Sequence, residues 1–244
     1  HTIIYDAYSI ILPVTWSLET EVQFYIAIPF LAYFGLSITN RKLTVLFASI
    51  LFFASILFRG YLLREGVYGL MASLPIFLSY FLVGIAFACL FLTRENWLRT
   101  QSVIFDFIGI SAFIGMFWFY KPQSYFFGQI MFNFSVFILF VSAFKGVWIN
   151  VFLRGPLVYL VGGMCYTIYL IHLPIFALFT RFSGQLIQWE SYSANFLFQF
   201  SIAFLILMSI SSLFYLGIEK PCMDKDWHLK LARKLGFSKT NKVK

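Results

Sequence analysis

Seven apolar stretches of membrane-crossing length, separated by short polar breaks, run through this chain at residues 18–37, 43–58, 72–92, 102–120, 127–144, 157–180 and 194–217. A hydrocarbon core of roughly 30 Å needs about 20 such residues in a helix. The stretches are continuous rather than alternating and far longer than a barrel strand requires, so helices are expected and a transmembrane barrel is not. The second is the shortest, and it extends through Gly60 to Leu63 only if Arg59 snorkels. With 61% hydrophobic and 11% charged residues and a mean hydropathy of +0.84, the chain lies outside the soluble range. The expected fold is all-α, a polytopic transmembrane bundle of about seven helices. Phe, Tyr and Trp make up 22% of the chain, which suits lipid-facing helices with amphipathic rings at the interfaces.

Orientation follows from the basic residues. Assigning the breaks alternately to two sides leaves only Arg59, Arg64, Lys121 and Arg181 on one of them. The other side, rich in Lys and Arg, is then expected to be cytoplasmic, with the C-terminus inside and residue 1 outside. This divides the chain into a membrane-embedded part, 1–219, and a basic cytoplasmic tail, 220–244. The net charge of +8 sits largely in that tail. A juxtamembrane basic tail meets anionic lipid headgroups, so the lipid bilayer is the expected partner and nucleic acid is not. Trp227, Leu229, Leu231 and Leu235 fall among the tail's charges, a pattern open to a short helix on the leaflet or to a frayed, solvated end.

Cys89, Cys165 and Cys222 show no paired spacing, so neither a disulfide framework nor a metal site is indicated. No phosphate loop, metalloprotease helix or nucleophile elbow is present. What remains are polar groups that a membrane helix holds at a cost of a few kcal/mol: Glu19 and Glu21 opening the first stretch, Asp106 at the start of the fourth, His172 deep in the sixth and Glu219 closing the seventh. Two readings of Glu19 and Glu21 stand side by side. They complement the positive dipole of a helix N-terminus, or Glu21 faces the bundle interior, one turn from Tyr25, and bonds a cation or a substrate hydroxyl. His172 and Tyr169 share a face; the imidazole is a second titrating group or a packing histidine beside Pro174. Glu219 faces the unfavourable end of its helix dipole, which favours a salt bridge to a cytoplasmic Arg or Lys. Asp106, at the favourable end, needs no special role. Asn133 and Gln199 are expected to bond between helices, and Gly162 and Gly163 to let a neighbouring helix approach.

Three segments together are specific. Trp16-Ser17-Leu18, Glu21, Gln23-Phe24-Tyr25 and Pro29 resemble the Trp-Ser-Leu-x-x-Glu-x-Gln-Phe-Tyr-x-x-x-Pro signature of the acyltransferase 3 family of membrane-bound O-acyltransferases. The run from Gly163 through Tyr166, Tyr169 and His172 to Pro174 contains a match, from Cys165 onward, that resembles that family's Ser-Tyr-x-x-Tyr-Leu-x-His-x-Pro helix. Glu219-Lys220-Pro221 is similar to its closing Glu-x-Pro. Two departures are Glu19, where the family usually has a small residue, and Cys165, where it usually has Ser. Members usually have ten helices and two cytoplasmic termini. Seven helices with an external start, and His1 in place of Met, lead us to expect a C-terminal part lacking the family's first three helices. Those helices carry its Arg and His motifs, including the His implicated in catalysis, so this chain is expected to be inactive alone.

The resemblance implies transfer of an acyl group, commonly acetyl, from cytoplasmic acyl-CoA to a hydroxyl of an extracytoplasmic carbohydrate such as O-antigen or exopolysaccharide. The commonest setting is a bacterial inner membrane. Acyl-CoA is then a co-substrate, no bound cofactor or metal is expected, and the partners are the bilayer, the acyl-CoA donor and the carbohydrate acceptor. Glu21 and His172 become the candidate catalytic groups, Trp16, Ser17, Tyr25 and Tyr169 candidate substrate contacts, and Glu219 and Pro221 structural residues. A transporter or flippase of a glycan precursor is the rival class, but no duplicated polar motif or matched pair of broken helices supports it.

Overall fold

A computed structural model describes residues 16–67, 70, 72–120, 126–183 and 191–227. The stretch of tail from residue 228 onward lies outside them. Every one of the seven apolar stretches is helical. Helix α1 spans Trp16–Ser37, α2 Arg41–Glu65, α3 Leu74–Arg99, α4 Ile104–Phe119 and α5 Phe126–Lys145. The short α6 follows at Trp148–Leu153. The sixth stretch departs from expectation: it is not one helix but two, α7 Pro156–Gly163 and α8 Cys165–Ser183, broken at Met164. The seventh forms α9, Tyr192–Phe214, and then widens into a π-turn at Tyr215–Glu219. Helix α2 runs unbroken through Arg59 to a left-handed C-cap at Gly66 (φ 67°), so the second stretch does extend.

Helices α2, α3, α5 and α8 and the segment Tyr192–Cys222 are long and apolar enough to cross a membrane, and α4 is a shorter apolar helix. Helix α1 has the length, about 33 Å at 1.5 Å per residue, but Glu19, Thr20, Glu21 and Gln23 make its first turns more polar. The distribution of side chains is the inverse of a water-soluble core. Leu92 is 80% and Trp118 73% exposed, whereas Ser79, Asn133, Ser142 and Asp106 are at most 2% exposed. Such an arrangement is stable only where the surrounding solvent is hydrocarbon and the polar groups find partners between helices. The chain is an integral membrane protein.

The chain forms two compact units, His1–Tyr159 and Leu160–Lys244. In the first, α3 is central, packed by α1, α2 and α5, and α4 lies against α5. Small residues set the close approaches. Ser55 on α2 donates to the carbonyl of Ile76 on α3 (3.4 Å) and accepts from the N–H of Ser79 (3.1 Å). Asp106, expected to need no particular role, instead accepts the N–H groups of Val147 (3.0 Å) and Ile149 (2.9 Å) and so holds the start of α6. A carboxylate there satisfies donors that the opening turn of a helix leaves orphaned. In the second unit α8 packs on α9.

Candidate functional site

The first signature segment folds as the opening of α1, and its polar residues divide between packing and surface. Gln23 bridges the start of α3: its side-chain amide donates to the carbonyl of Ala72 (3.3 Å) and accepts the N–H of Leu74 (2.8 Å). Thr20 donates to the same carbonyl at 3.0 Å. Phe24 stacks on Phe81 with centroids 4.0 Å apart, and Trp16 lies 5.4 Å from Phe77. These residues recur at helical spacing along one stripe, which seats α1 on α3. Ser17, Glu19 and Glu21 are only partly exposed, whereas Tyr25 is 65% exposed. Glu21 bonds no described residue.

The face of α3 beyond Trp16 opens into a cavity of about 300 Å³ lined by Arg59, Phe77, Tyr80, Val83, Tyr120, Phe132, Asn133 and Val136. Arg59 Nη1 donates to the Tyr80 hydroxyl (2.7 Å), which donates to Gln129 Oε1 (2.8 Å). The guanidinium also lies 5.9 Å from the centroids of the Phe77 and Tyr80 rings, a cation–π arrangement that partly replaces hydration. Arg59 stands six residues before the end of α2 and Tyr80 six after the start of α3, each about 9 Å inside its helix terminus. Among the described residues no carboxylate pairs with Arg59. Asn133 corrects the sequence reading: its Nδ2 bonds the Gln129 carbonyl of its own helix (2.8 Å), not a neighbouring helix, and its buried Oδ1 has no partner. Gln199 likewise bonds Asn195 within α9 (3.1 Å). Val83 and Asn133 also line a larger groove of about 750 Å³ between α2, α3 and α5, whose other end carries Arg41 and Arg94.

In the second unit the two remaining signature segments meet. Thr167 on α8 donates its hydroxyl to Glu219 Oε2 at the end of the π-turn. Glu219 was expected in a salt bridge; among the described residues its partner is a neutral hydroxyl instead, and that bond ties the two helices together. A Cβ on Gly163 would lie 3.0 Å from the Tyr215 hydroxyl, so this glycine permits the close approach, whereas Gly162 faces open space. Met164, at the break, is fully buried, and Pro221 is exposed. His172 Nδ1 lies 2.6 Å from the carbonyl of Tyr169 and 3.2 Å from that of Ile168. Contact with carbonyl oxygens calls for a proton on Nδ1, and in the neutral imidazole Nε2 is then the lone-pair acceptor. Tyr169 is 5.9 Å from the imidazole, centroid to centroid.

The Thr167 bond has a measurable consequence. Thr167→Val keeps shape and removes the donor, leaving a partly buried carboxylate without its partner, at a cost of about 1–2 kcal/mol. Thr167→Ser is expected to retain most of the stability in a mixed-micelle denaturation titration. A loss in Thr167→Ser with none in Thr167→Val would show that the methyl packing, not the hydroxyl, matters.

Glu21 lines neither the Arg59 cavity nor the groove. The sequence reading passed over Arg59, Tyr80 and Gln129 as site residues. Their signal was present, an arginine interrupting an apolar run with Gln129 and Asn133 one turn apart on a later helix, but which helices face one another is a tertiary fact.

Residues 3–216 match the family model described as an acyltransferase domain, and the chain belongs to the acyltransferase 3 family. Searches of curated proteins and of solved structures find no match.

Proposed function

We propose that this protein transfers an acyl group, most simply acetyl, from acyl-CoA on the cytoplasmic side of a bacterial inner membrane to a hydroxyl of a cell-surface carbohydrate on the other side. The observation that carries the reading is the family match across residues 3–216. In the reaction an acceptor hydroxyl loses its proton to a base while its oxygen attacks the thioester carbonyl. The tetrahedral oxyanion then collapses, the C–S bond breaks, and the CoA thiolate leaves and is protonated. The step calls for a base, and for donors aimed at the oxyanion.

His172 is assigned as a second proton acceptor beside the principal base expected from the family's His motif, because in the neutral imidazole an Nδ1–H held by carbonyl oxygens leaves Nε2 free to accept a proton. Glu21 is assigned as a charge partner that orients a base or a cation, with Trp16, Ser17, Tyr25 and Tyr169 contacting substrate and Glu219 and Pro221 fixing the end of the bundle. The basic tail places the C-terminus in the cytoplasm in this reading.

The test is glycan O-acetylation in a deletion strain complemented with the complete reading frame, wild type against Glu21→Gln at matched membrane expression. Acetyl esters are expected to fall at least tenfold in the variant. Unchanged acetylation would reduce Glu21 to a helix-start residue. Wild-type protein that neither restores acetyl esters nor releases CoA thiol in membranes would overturn the acyltransferase reading in favour of transport.

A further inference from the structure

The Arg59 cavity is built for more than packing. An arginine within a membrane helix costs a few kcal/mol unless something balances it, and among the described residues Arg59 has only the neutral Tyr80 hydroxyl and two aromatic faces. One of its five N–H donors is used there, so most of the guanidinium fork is open to a ligand. On the same cavity wall Asn133, 2% exposed, holds an amide oxygen with no partner among the described residues. A buried acceptor left unsatisfied costs about 1–3 kcal/mol, an expense removed if a ligand donates to it. Phe77, Tyr120 and Phe132 form the rest of the wall.

From this juxtaposition we propose that the cavity is a subsite for one sugar unit bearing a carboxylate. The inference rests on the carbohydrate acyltransferase reading and adds that the acceptor is anionic. Each demand of the cavity selects part of such a ligand. The planar guanidinium pairs with a carboxylate through parallel N–H···O bonds, a geometry that ammonium or hydroxyl groups do not supply. The orphan Asn133 oxygen accepts a sugar hydroxyl. Aromatic rings cover the C–H face of a pyranose. At about 300 Å³ the space is at the small end of ligand pockets, sized for a single ring. A fatty acyl chain offers neither the negative charge nor the hydroxyl donor. The position about 9 Å inside the helix termini keeps the subsite within reach of the surface.

The experiment is a binding titration on the full-length protein in non-ionic detergent, without acyl-CoA, using methyl glucuronide, methyl glucoside and glycerol phosphate as probes. The glucuronide is expected to bind at least tenfold more tightly than the glucoside. Arg59→Gln should erase that preference and leave glucoside binding unchanged, whereas Asn133→Leu should weaken both sugars. Tyr120→Leu, which leaves the Arg59–Tyr80–Gln129 chain intact, should weaken both and serves if the Arg59 variant does not fold. Equal affinity for the two sugars overturns the proposal. Tighter binding of glycerol phosphate than of glucuronide also overturns it and assigns the cation to a lipid headgroup. Because no donor is present, this outcome is independent of whether acyl transfer occurs.

Discussion

Gly109→Val is expected to lower the stability of the folded protein by about 3 kcal/mol, the upper end for overpacking a close-packed interior. A Cβ at Gly109 would sit 2.6 Å from Ile149 Cδ1 and 2.8 Å from Ser142 Cβ. The Ile149 methyl is the tip of a flexible side chain and can swing aside, but Ser142 Cβ is fixed to its backbone and cannot yield. Ser142 is fully buried on α5, and Ile149 belongs to α6, whose start Asp106 holds through two backbone bonds. Relief would require α4 and α5 to move apart across their long shared interface. The measurement is denaturation in mixed micelles, with Gly84→Ala as control. Gly84 faces open space, so its substitution is expected to be neutral or to stabilise α3 by up to about 1 kcal/mol through helix propensity. A Gly109 variant as stable as the wild type would show that the α4–α5 approach tolerates repacking.

Much of this architecture was legible before any coordinates. Hydrophobic length marks a membrane helix by itself, since an apolar run crossing lipid must satisfy its backbone internally, and each of the seven stretches is helical. The break at Met164 was not legible, because Gly162 and Gly163 in an apolar run are as compatible with a continuous helix as with an interrupted one. The signature residues were recognisable, yet their division of labour was not. Gln23 looks as functional as Glu21 in the linear motif; only the placement of Ala72 and Leu74 shows that Gln23 caps α3. Asn133 read as a bridge between helices because a polar residue in hydrocarbon needs a partner. It found one in its own helix for the amide nitrogen and none for the oxygen. Half of an asparagine's bonding capacity can be met by the local turn, and sequence does not reveal what is left over.

Lys145→Met is expected to cost about 2 kcal/mol, and the sign requires weighing two opposed effects. Lys145 is only 4% exposed. Its ammonium donates to the carbonyls of Trp97 (2.7 Å) and Thr100 (3.0 Å) and to the Thr100 hydroxyl (2.9 Å). It also lies 4.1 Å from the centroid of the Trp97 ring and 4.9 Å from that of Phe105. Charge-assisted bonds contribute about 1.5–3 kcal/mol each, but removing an ammonium from water offsets a large part of that sum. The balance is tipped by position. The acceptors are carbonyls of the last turn of α3, beyond its kink at Arg94, which that turn leaves without helical partners and where a cation is favoured, and methionine of similar length leaves the Thr100 carbonyl without this donor. Lys145→Arg is expected to be destabilised as well, since a planar fork cannot converge three donors on the site of a compact ammonium. Mixed-micelle denaturation of both variants decides the matter. If the methionine variant were equal to or more stable than wild type, desolvation would have cancelled the bonds, and the α3–α5 junction would be held by its aromatic packing alone.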